Sequence, residues 1–221
     1  MAATLTDFSA EREAMVDRQL RRRGIVDPHI LDAFLAVPRE KFVSAEYQHL
    51  AYGDHPLPIE AGQTISQPYI VALMIEAAAI KAKEKVLEVG AGSGYAAAII
   101  GQVAERVIAI ERQHELVEVA SDRIARLGYD NVQIIEGDGT RGCIAEAPFD
   151  AILAAASGTH VPKALLDQLV EGGCIVMPLG GPGWAQQLVK VTKRAGGALE
   201  HENLGGVRFV PLIGEEGWKD D

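Results

Sequence analysis

"VLEVGAGSG", Val86–Gly94, is the stretch whose reading decides the fold. A short apolar run ends in Gly90, Gly92 and Gly94, at a point where a strand could turn into a helix. Glycine lets a backbone take positive φ and come close to a ligand. A plain tight turn would use the same residues, so the neighbours have to decide. The next apolar run, "RVIAIE", ends in Glu111, 21 residues after Gly90. An acidic side chain about 20 residues beyond the first glycine, at the tip of a second strand, can accept both hydroxyls of a ribose.

Outward from this unit, strand-like and helix-like stretches alternate. "KVLEVGA" reads as a strand and "SGYAAAIIGQVA" as a helix. "RVIAIE" is a strand and "QHELVEVASDRIARLG" a helix stopped by Gly128. "VQIIEGD" and "FDAILAAA" are strands, "PKALLDQLV" a helix through Val170, and "GCIVMPLG" a strand. Such alternation predicts an α/β fold, a doubly wound and mostly parallel sheet with helices on both faces. The last β-rich runs, within "QQLVKVTKRAGGALEHENLGGVRFVPL", are joined by Gly-Gly turns and suit an antiparallel edge.

Before the glycine unit the pattern is helical. "AMVDRQLRRRG" is amphipathic and stops at Gly24. "DPHILDAFLAV" starts with Asp27 as N-cap and Pro28 at the first helical position. "REKFV" begins a further short element, and "YIVALMIEAAAIKA" is a helix apolar nearly all round. We expect one domain over residues 1–221. Residues 1–68 would form a helical extension with a loop, and residues 69–221 a cofactor-binding α/β core.

Two ligand classes suit a glycine turn with Glu111 beyond it: nicotinamide dinucleotides and S-adenosylmethionine. The dinucleotide fingerprint is GxGxxG, whereas the spacing here is GxGxG. Glu88, inside the strand, would repel a pyrophosphate but favour an ammonium or sulfonium. Asp138, in "EGDG", could accept from an adenine amino group, although a simple turn aspartate fits the same place. Three acidic positions on successive strands favour the cationic adenosyl ligand.

Composition sets the remaining bounds. The 221 residues are 48% hydrophobic and carry a formal net charge of −10, which disfavours nucleic acid and anionic membranes. The basic run "RQLRRRG" reads as a solvated helix face. Cys143 and Cys174 form no CxxC, and a reducing, cytoplasmic setting is expected. "MAATLTDFSAERE" lacks a secretory pattern. None of the six histidines has metal-ligand spacing, and no metal is expected.

The loop "GQTISQP", Gly62–Pro68, does not read as ordinary scaffold. It places polar residues just ahead of the helix that leads into the glycine unit. Ser66 could cap that helix or present a hydroxyl to a ligand.

With these stretches in view, the chain resembles the protein-L-isoaspartate O-methyltransferases. The matching segments are "MVDRQLRRRGI", "VPREKFV", "GQTISQPYIVA", "VLEVGAGSGY", "GDG" with "APFDAI", "LLDQLVEGG" with "PLG", and "VRFVPL". They run in order from about Met15 to Leu212, and "GQTISQP" is the most specific. The resemblance implies a Rossmann-like methyltransferase fold and methyl transfer from S-adenosylmethionine to the α-carboxyl of isoaspartyl residues in damaged proteins. The methyl ester would then close to a succinimide, which hydrolyses partly to normal aspartate. The resemblance also implies that Ser66 is the active-site serine, with Ile65 and Gln67 beside it in the cleft. Gly90, Gly92, Glu111, Asp138 and Gly139 match the family's cofactor contacts. The implied partners are isoaspartyl proteins and peptides, and a monomer is expected. In two places the chain departs from the family: Glu60 stands where glycine is usual, and Ser157 where proline is usual. Both stretches are expected to line the substrate cleft.

An α-carboxyl has a solution pKa of about 3.5 and is already a nucleophile near neutral pH. No general base is needed, which fits the lack of an obvious catalytic histidine. Other readings are a methyltransferase for another carboxyl or a small molecule, a nicotinamide dehydrogenase, and a non-catalytic binding module.

Overall fold

A computed structural model describes residues 7–181 and 185–219; residues 1–6, which open the stretch read for a secretory signal, lie outside them. The chain begins with α1 (Ser9–Met15), which continues through a π-helical turn (Val16–Leu20) and a 3-10 turn to Gly24, at φ 97°. α2 (Pro28–Ala36) starts as its sequence requires, with Pro28 in the first turn and the Asp27 carboxylate accepting from the His29 amide. "REKF" forms a 3-10 turn. The long polar loop contains a minimal antiparallel hairpin, β1 (Leu57–Pro58) with β2 (Thr64–Ile65).

α3 (Pro68–Ala78) then leads into the main sheet. Its members, in chain order, are β3 (Lys85–Val89), α4 (Tyr95–Val103), β4 (Arg106–Glu111), α5 (His114–Leu127), β5 (Val132–Glu136), β6 (Phe149–Ala154), α6 (Lys163–Asp167), β7 (Leu169–Leu179), β8 (Gln186–Lys193) and β9 (Leu199–Val207). In space the strands run β5-β4-β3-β6-β7-β8-β9. From β5 to β7 neighbours are parallel, and β8 and β9 add an antiparallel edge. The chain winds from β3 out to β5, then returns to lay β6 on the other side of β3. That reversal opens a crevice at the carboxyl ends of β3 and β6, the place where open α/β sheets bind ligands.

The two faces of the sheet are unequally covered. Val86, Val107, Ala151, Leu153 and Val176 share one apolar cluster with α2, α3, α4 and α5. Leu87, Val89, Ile108, Ile152, Ile175 and Met177 share another with Phe149, Leu165 of the five-residue α6, and Leu212. Helices thus cover both faces, but on the second most of the cover is loop. The N-terminal helices join the first cluster through Leu20, Phe34 and Phe42. Phe34 and Phe42 meet Tyr95 edge-on, with ring centroids 6.2 and 5.5 Å away.

One boundary differs from its sequence reading. The helix read through Val170 ends at Asp167, and Leu169 already belongs to β7. Phe149 draws it into the sheet: its amide donates to the Gln168 carbonyl at 2.8 Å, and Phe149 pairs with Leu169. The register then slips, so that Ala151 pairs with Cys174, and Gly172 at φ 84° lies within the slip.

Gly101 tests how tightly α4 is seated on β5. Alanine normally stabilises a helix interior over glycine by about 1 kcal/mol. Here a Cβ would lie 2.7 Å from Val132 Cγ2 and 3.2 Å from Asn131 Oδ1. Overpacking of this kind typically costs about 1–3 kcal/mol. Gly101→Ala is therefore expected to lower the urea midpoint; a higher midpoint would show that β5 yields easily.

Candidate active site

The crevice is a cleft of about 990 Å³, at the upper end of the range for small-molecule sites. Its floor is the glycine turn. Gly90, Gly92 and Gly94 have φ of 90°, 54° and 85°, which β-carbon-bearing residues seldom adopt. At Gly94 a Cβ would come within 3.4 Å of Ala120 and Ile124, so this third glycine sets how close α5 packs. The amides of Gly90 and Ala91 both donate to the Ile110 carbonyl, at 2.8 and 3.0 Å.

Two carboxylates sit over this floor. Glu111, 7% exposed at the end of β4, accepts from the Gly92 amide at 2.9 Å through one oxygen. Its other oxygen accepts from the amides of Arg112 and Gln113, at 2.8 and 3.0 Å. Glu88 is 2% exposed in the central strand, and its Oε2 has no hydrogen-bond partner among the described residues. Burial, followed by the charge of Glu111, pushes the Glu88 carboxyl well above its ordinary range. A buried acceptor of this kind, beside a backbone turn open to close approach, fits the cationic amino-acid end of an adenosyl ligand.

The "GQTISQP" loop forms a wall. Ile65, Ser66 and Gln67 line the cleft. Gln67, not Ser66, occupies the N-cap of α3, and no side chain caps that helix. The hairpin rests on the floor, since a Cβ on Gly92 would lie 3.4 Å from Ile59 Cδ1. Glu60, at the hairpin turn, points away from the cleft and takes Arg123 of α5 in a two-point pair at 2.6 and 3.2 Å. Next to it Ala61 takes φ 53°, unusual for a residue with a Cβ. The pair therefore holds the hairpin in place.

The opposite wall comes from the C-terminal segment, including Val207, Phe209 and Leu212. Ser157 is 1% exposed and serves this wall structurally. Its hydroxyl donates to the Gly180 carbonyl at 2.9 Å, and its carbonyl accepts from the Leu212 amide and from Trp218 Nε1, at 2.8 and 2.9 Å. Both departing stretches do line the cleft, through Gly62 and Gln63 in one and Ala155 and Ala156 in the other, but not through the departing side chains. Glu60 and Ser157 are turned to Arg123 and Gly180, and neither lines it.

Gly139 lines the cleft, and Asp138 beside it does not. Asp138 accepts from the amide and hydroxyl of Thr140, at 2.9 and 2.7 Å, and from the Glu215 amide at 2.8 Å. Burial raises its pKa, but these bonds and Arg141 outweigh it and hold the carboxyl below its ordinary value. A Cβ on Gly214 would collide with this carboxylate. Asp138 thereby fastens the C-terminal segment to the turn after β5.

Sequence reasoning missed Arg39 and Tyr95. Tyr95, one residue past the glycine turn, is 1% exposed and lines the cleft. Burial pushes its phenol up to about 12, with the Arg39 charge pulling the other way. Arg39 lies behind the loop and donates to the carbonyls of Ala51 and Ser66, at 2.8 and 2.9 Å. The sequence shows there only a run of three charged residues, Arg39–Lys41, between Pro38 and Phe42, which does not tell which of them is buried.

The Glu88 shift makes a prediction for the ligand-free protein. A carboxyl whose folded pKa lies above its unfolded value loses stability as pH rises from about 4.5 toward the folded pKa. Glu88→Gln removes that loss. Its thermal midpoint should exceed that of the unmodified chain at pH 8 and converge with it near pH 4.5. A constant offset across that range would show that Glu88 is not the titrating group.

Comparisons with known proteins agree with this geometry. Residues 10–217 match the model of the family described as protein-L-isoaspartate(D-aspartate) O-methyltransferase (PCMT). Protein-L-isoaspartate O-methyltransferase 1 of Rhodopseudomonas palustris (strain HaA2) is 52% identical over 213 residues, which cover 96% of this chain and 87% of that one. A solved protein-L-isoaspartate O-methyltransferase superposes with a TM-score of 0.84 at 31% identity, over 93% of this chain and 66% of the other. A Plasmodium falciparum chain described under the same methyltransferase name was solved in complex with S-adenosyl-L-homocysteine. It superposes with a TM-score of 0.79 at 28% identity, over 94% of this chain and 99% of that one. A family match across nearly the whole chain, joined to a glycine-floored cleft walled by "GQTISQP", makes this chain a member of the protein-L-isoaspartate(D-aspartate) O-methyltransferase family.

Proposed function

We propose that the chain transfers a methyl group from S-adenosylmethionine to the α-carboxyl of L-isoaspartyl residues in damaged proteins, as a repair reaction. The observation that carries this reading is the placement of "GQTISQP": its Ser66 lines the cleft instead of capping a helix. S-adenosylmethionine supplies an electrophilic methyl group on a sulfonium. The chain's residues bind, orient and exclude water.

Gly90 and Gly92 let the backbone approach the ligand, and Gly139 offers a similar surface beside them. Glu111 is the acceptor for ribose hydroxyls, while Glu88 favours the ligand's positive end. Ile65 and Gln67 close the near side of the cleft. Asp138 acts from the edge, with lone pairs beyond those given to Thr140 and Glu215. Ser66 orients the acceptor carboxylate, which arrives ionised and needs no base. Holding two reactants in place can supply up to about 7–11 kcal/mol of the barrier at best.

The same reading assigns residues 1–68 to an extension with the active-site loop and residues 69–221 to the cofactor core. It places the reaction in the cytoplasm, in a monomer with no nucleic-acid or membrane partner. The net charge of −10 and the two free cysteines are in keeping with that, and no described helix is long and apolar enough to cross a membrane.

Tritiated methyl transfer to an isoaspartyl peptide, measured beside its normal aspartyl twin, tests the reaction. Label on the first alone is expected; cofactor binding with transfer to neither would end this reading. Ser66→Ala should bind S-adenosylmethionine nearly as tightly as the unmodified chain while single-turnover transfer falls about a hundred- to a thousandfold. An unchanged rate would return Ser66 to the scaffold. Glu111→Leu should weaken S-adenosylhomocysteine at least about tenfold by isothermal titration. Equal affinity in a folded variant would remove Glu111 from the ribose site.

A further inference from the structure

Arg39 is by volume the largest fully buried side chain among the described residues, at 0% exposure. Such a cation normally has a carboxylate partner, because burying a lone charge is costly. Arg39 forms no ion pair with any described residue. The adjacent carboxylate, Glu40, is committed elsewhere, to Arg12 at 3.5 Å and to the Tyr52 hydroxyl. Arg39 instead holds two backbone carbonyls, those of Ala51 and Ser66. Its guanidinium carbon lies 4.8 Å from the centre of the Tyr95 ring. Arg39 Nη1 and Tyr95 Oη are both buried without a hydrogen-bond partner among the described residues. The two groups still act on each other: the Arg39 charge pulls the Tyr95 phenol down against the upward push of burial.

Two features of the cleft meet at this residue. Ser66 and Tyr95 both line the cleft, one on its loop wall and one at the start of α4. Arg39 ties them together from behind. The chain also carries a net charge of −10, which works against any anionic acceptor. A positive charge sealed in the interior is weakly screened and keeps its reach.

We propose that Arg39 is the positioning residue for the acceptor carboxylate: it fixes the Ser66 loop through its backbone carbonyl and supplies the uncompensated positive charge that draws the carboxylate to that loop. This rests on the isoaspartyl reading of the site. The two roles have separate signatures. The acceptor loses its negative charge as the methyl group is transferred, so the attraction is greatest in the ground state and appears in KM. The grip on Ser66 sets geometry at the moment of transfer and appears in kcat.

Arg39→Met and Arg39→Lys separate them. With an isoaspartyl peptide as acceptor, the Met variant should show KM raised about tenfold or more, with kcat also reduced. The Lys variant, assayed at the acid end of the working pH range where a buried ammonium stays protonated, keeps the charge but loses the fork that reaches both carbonyls. It should restore KM to within about threefold of the unmodified chain while kcat stays low. S-adenosylhomocysteine affinity, by isothermal titration, should be nearly unchanged in both. An unchanged KM in the Met variant, or a KM in the Lys variant as high as in the Met variant, overturns the proposal. So does parallel loss of cofactor and peptide binding, which would make Arg39 a support of the fold alone. If the Met variant gives no cooperative melt, the Lys variant decides: low kcat with near-normal KM supports the proposal, and a tenfold rise in KM overturns it. Absence of peptide methylation by the unmodified chain would be a failure of the isoaspartyl reading itself.

Discussion

A single backbone acceptor organises the site. The Ile110 carbonyl receives both the Gly90 and the Ala91 amides, so the chain leaving β3 must turn sharply over the end of β4. That turn requires left-handed backbone at Gly90, Gly92 and Gly94, and it brings the Gly92 amide onto Glu111. α4 starts where the turn ends, and its first residue, Tyr95, meets Phe34 and Phe42 from the N-terminal region. The loop wall rests on the same turn through Ile59. Floor, carboxylate, helix and wall all take their positions from this one constraint.

The parts of the fold visible in the sequence are those where a local rule acts alone. Asp27 with Pro28 can only start a helix, and Gly128 at φ 74° ends one as glycine commonly does. The spacing of Gly90 and Glu111 carries a distance along the chain that a strand–helix–strand unit converts into a distance in space. What stayed hidden depends on partners remote in sequence. The β1–β2 hairpin is too short to show a period. Leu169 and Val170 continue a helical pattern, but Phe149 claims that stretch for the sheet.

The candidate site divides in the same way. Eight of its nine residues, Ser66 and Glu111 among them, are placed in the cleft lining; Asp138 stands beside it, occupied with fastening the C-terminal segment. Arg39 could not be read as buried, since arginine is a surface residue by default and nothing nearby in sequence pairs with it. Glu60 and Ser157 stood out as departures from a family pattern. Their purpose needed Arg123 and Gly180, each more than 20 positions away.

Asp138 and Ser157 hold residues near the far end of the chain: the Glu215 amide on one, Trp218 Nε1 on the other. On the ribosome, sheet strands β3 to β7 are complete well before these residues exist. Chains emerge at about 5–20 residues per second and fold from the N-terminal side. The core can therefore form while one wall of its cleft is still unmade. Capacity to bind ligand is then conferred late and all at once, when the segment around Trp218 docks, so an unfinished chain holds a folded sheet without a finished site.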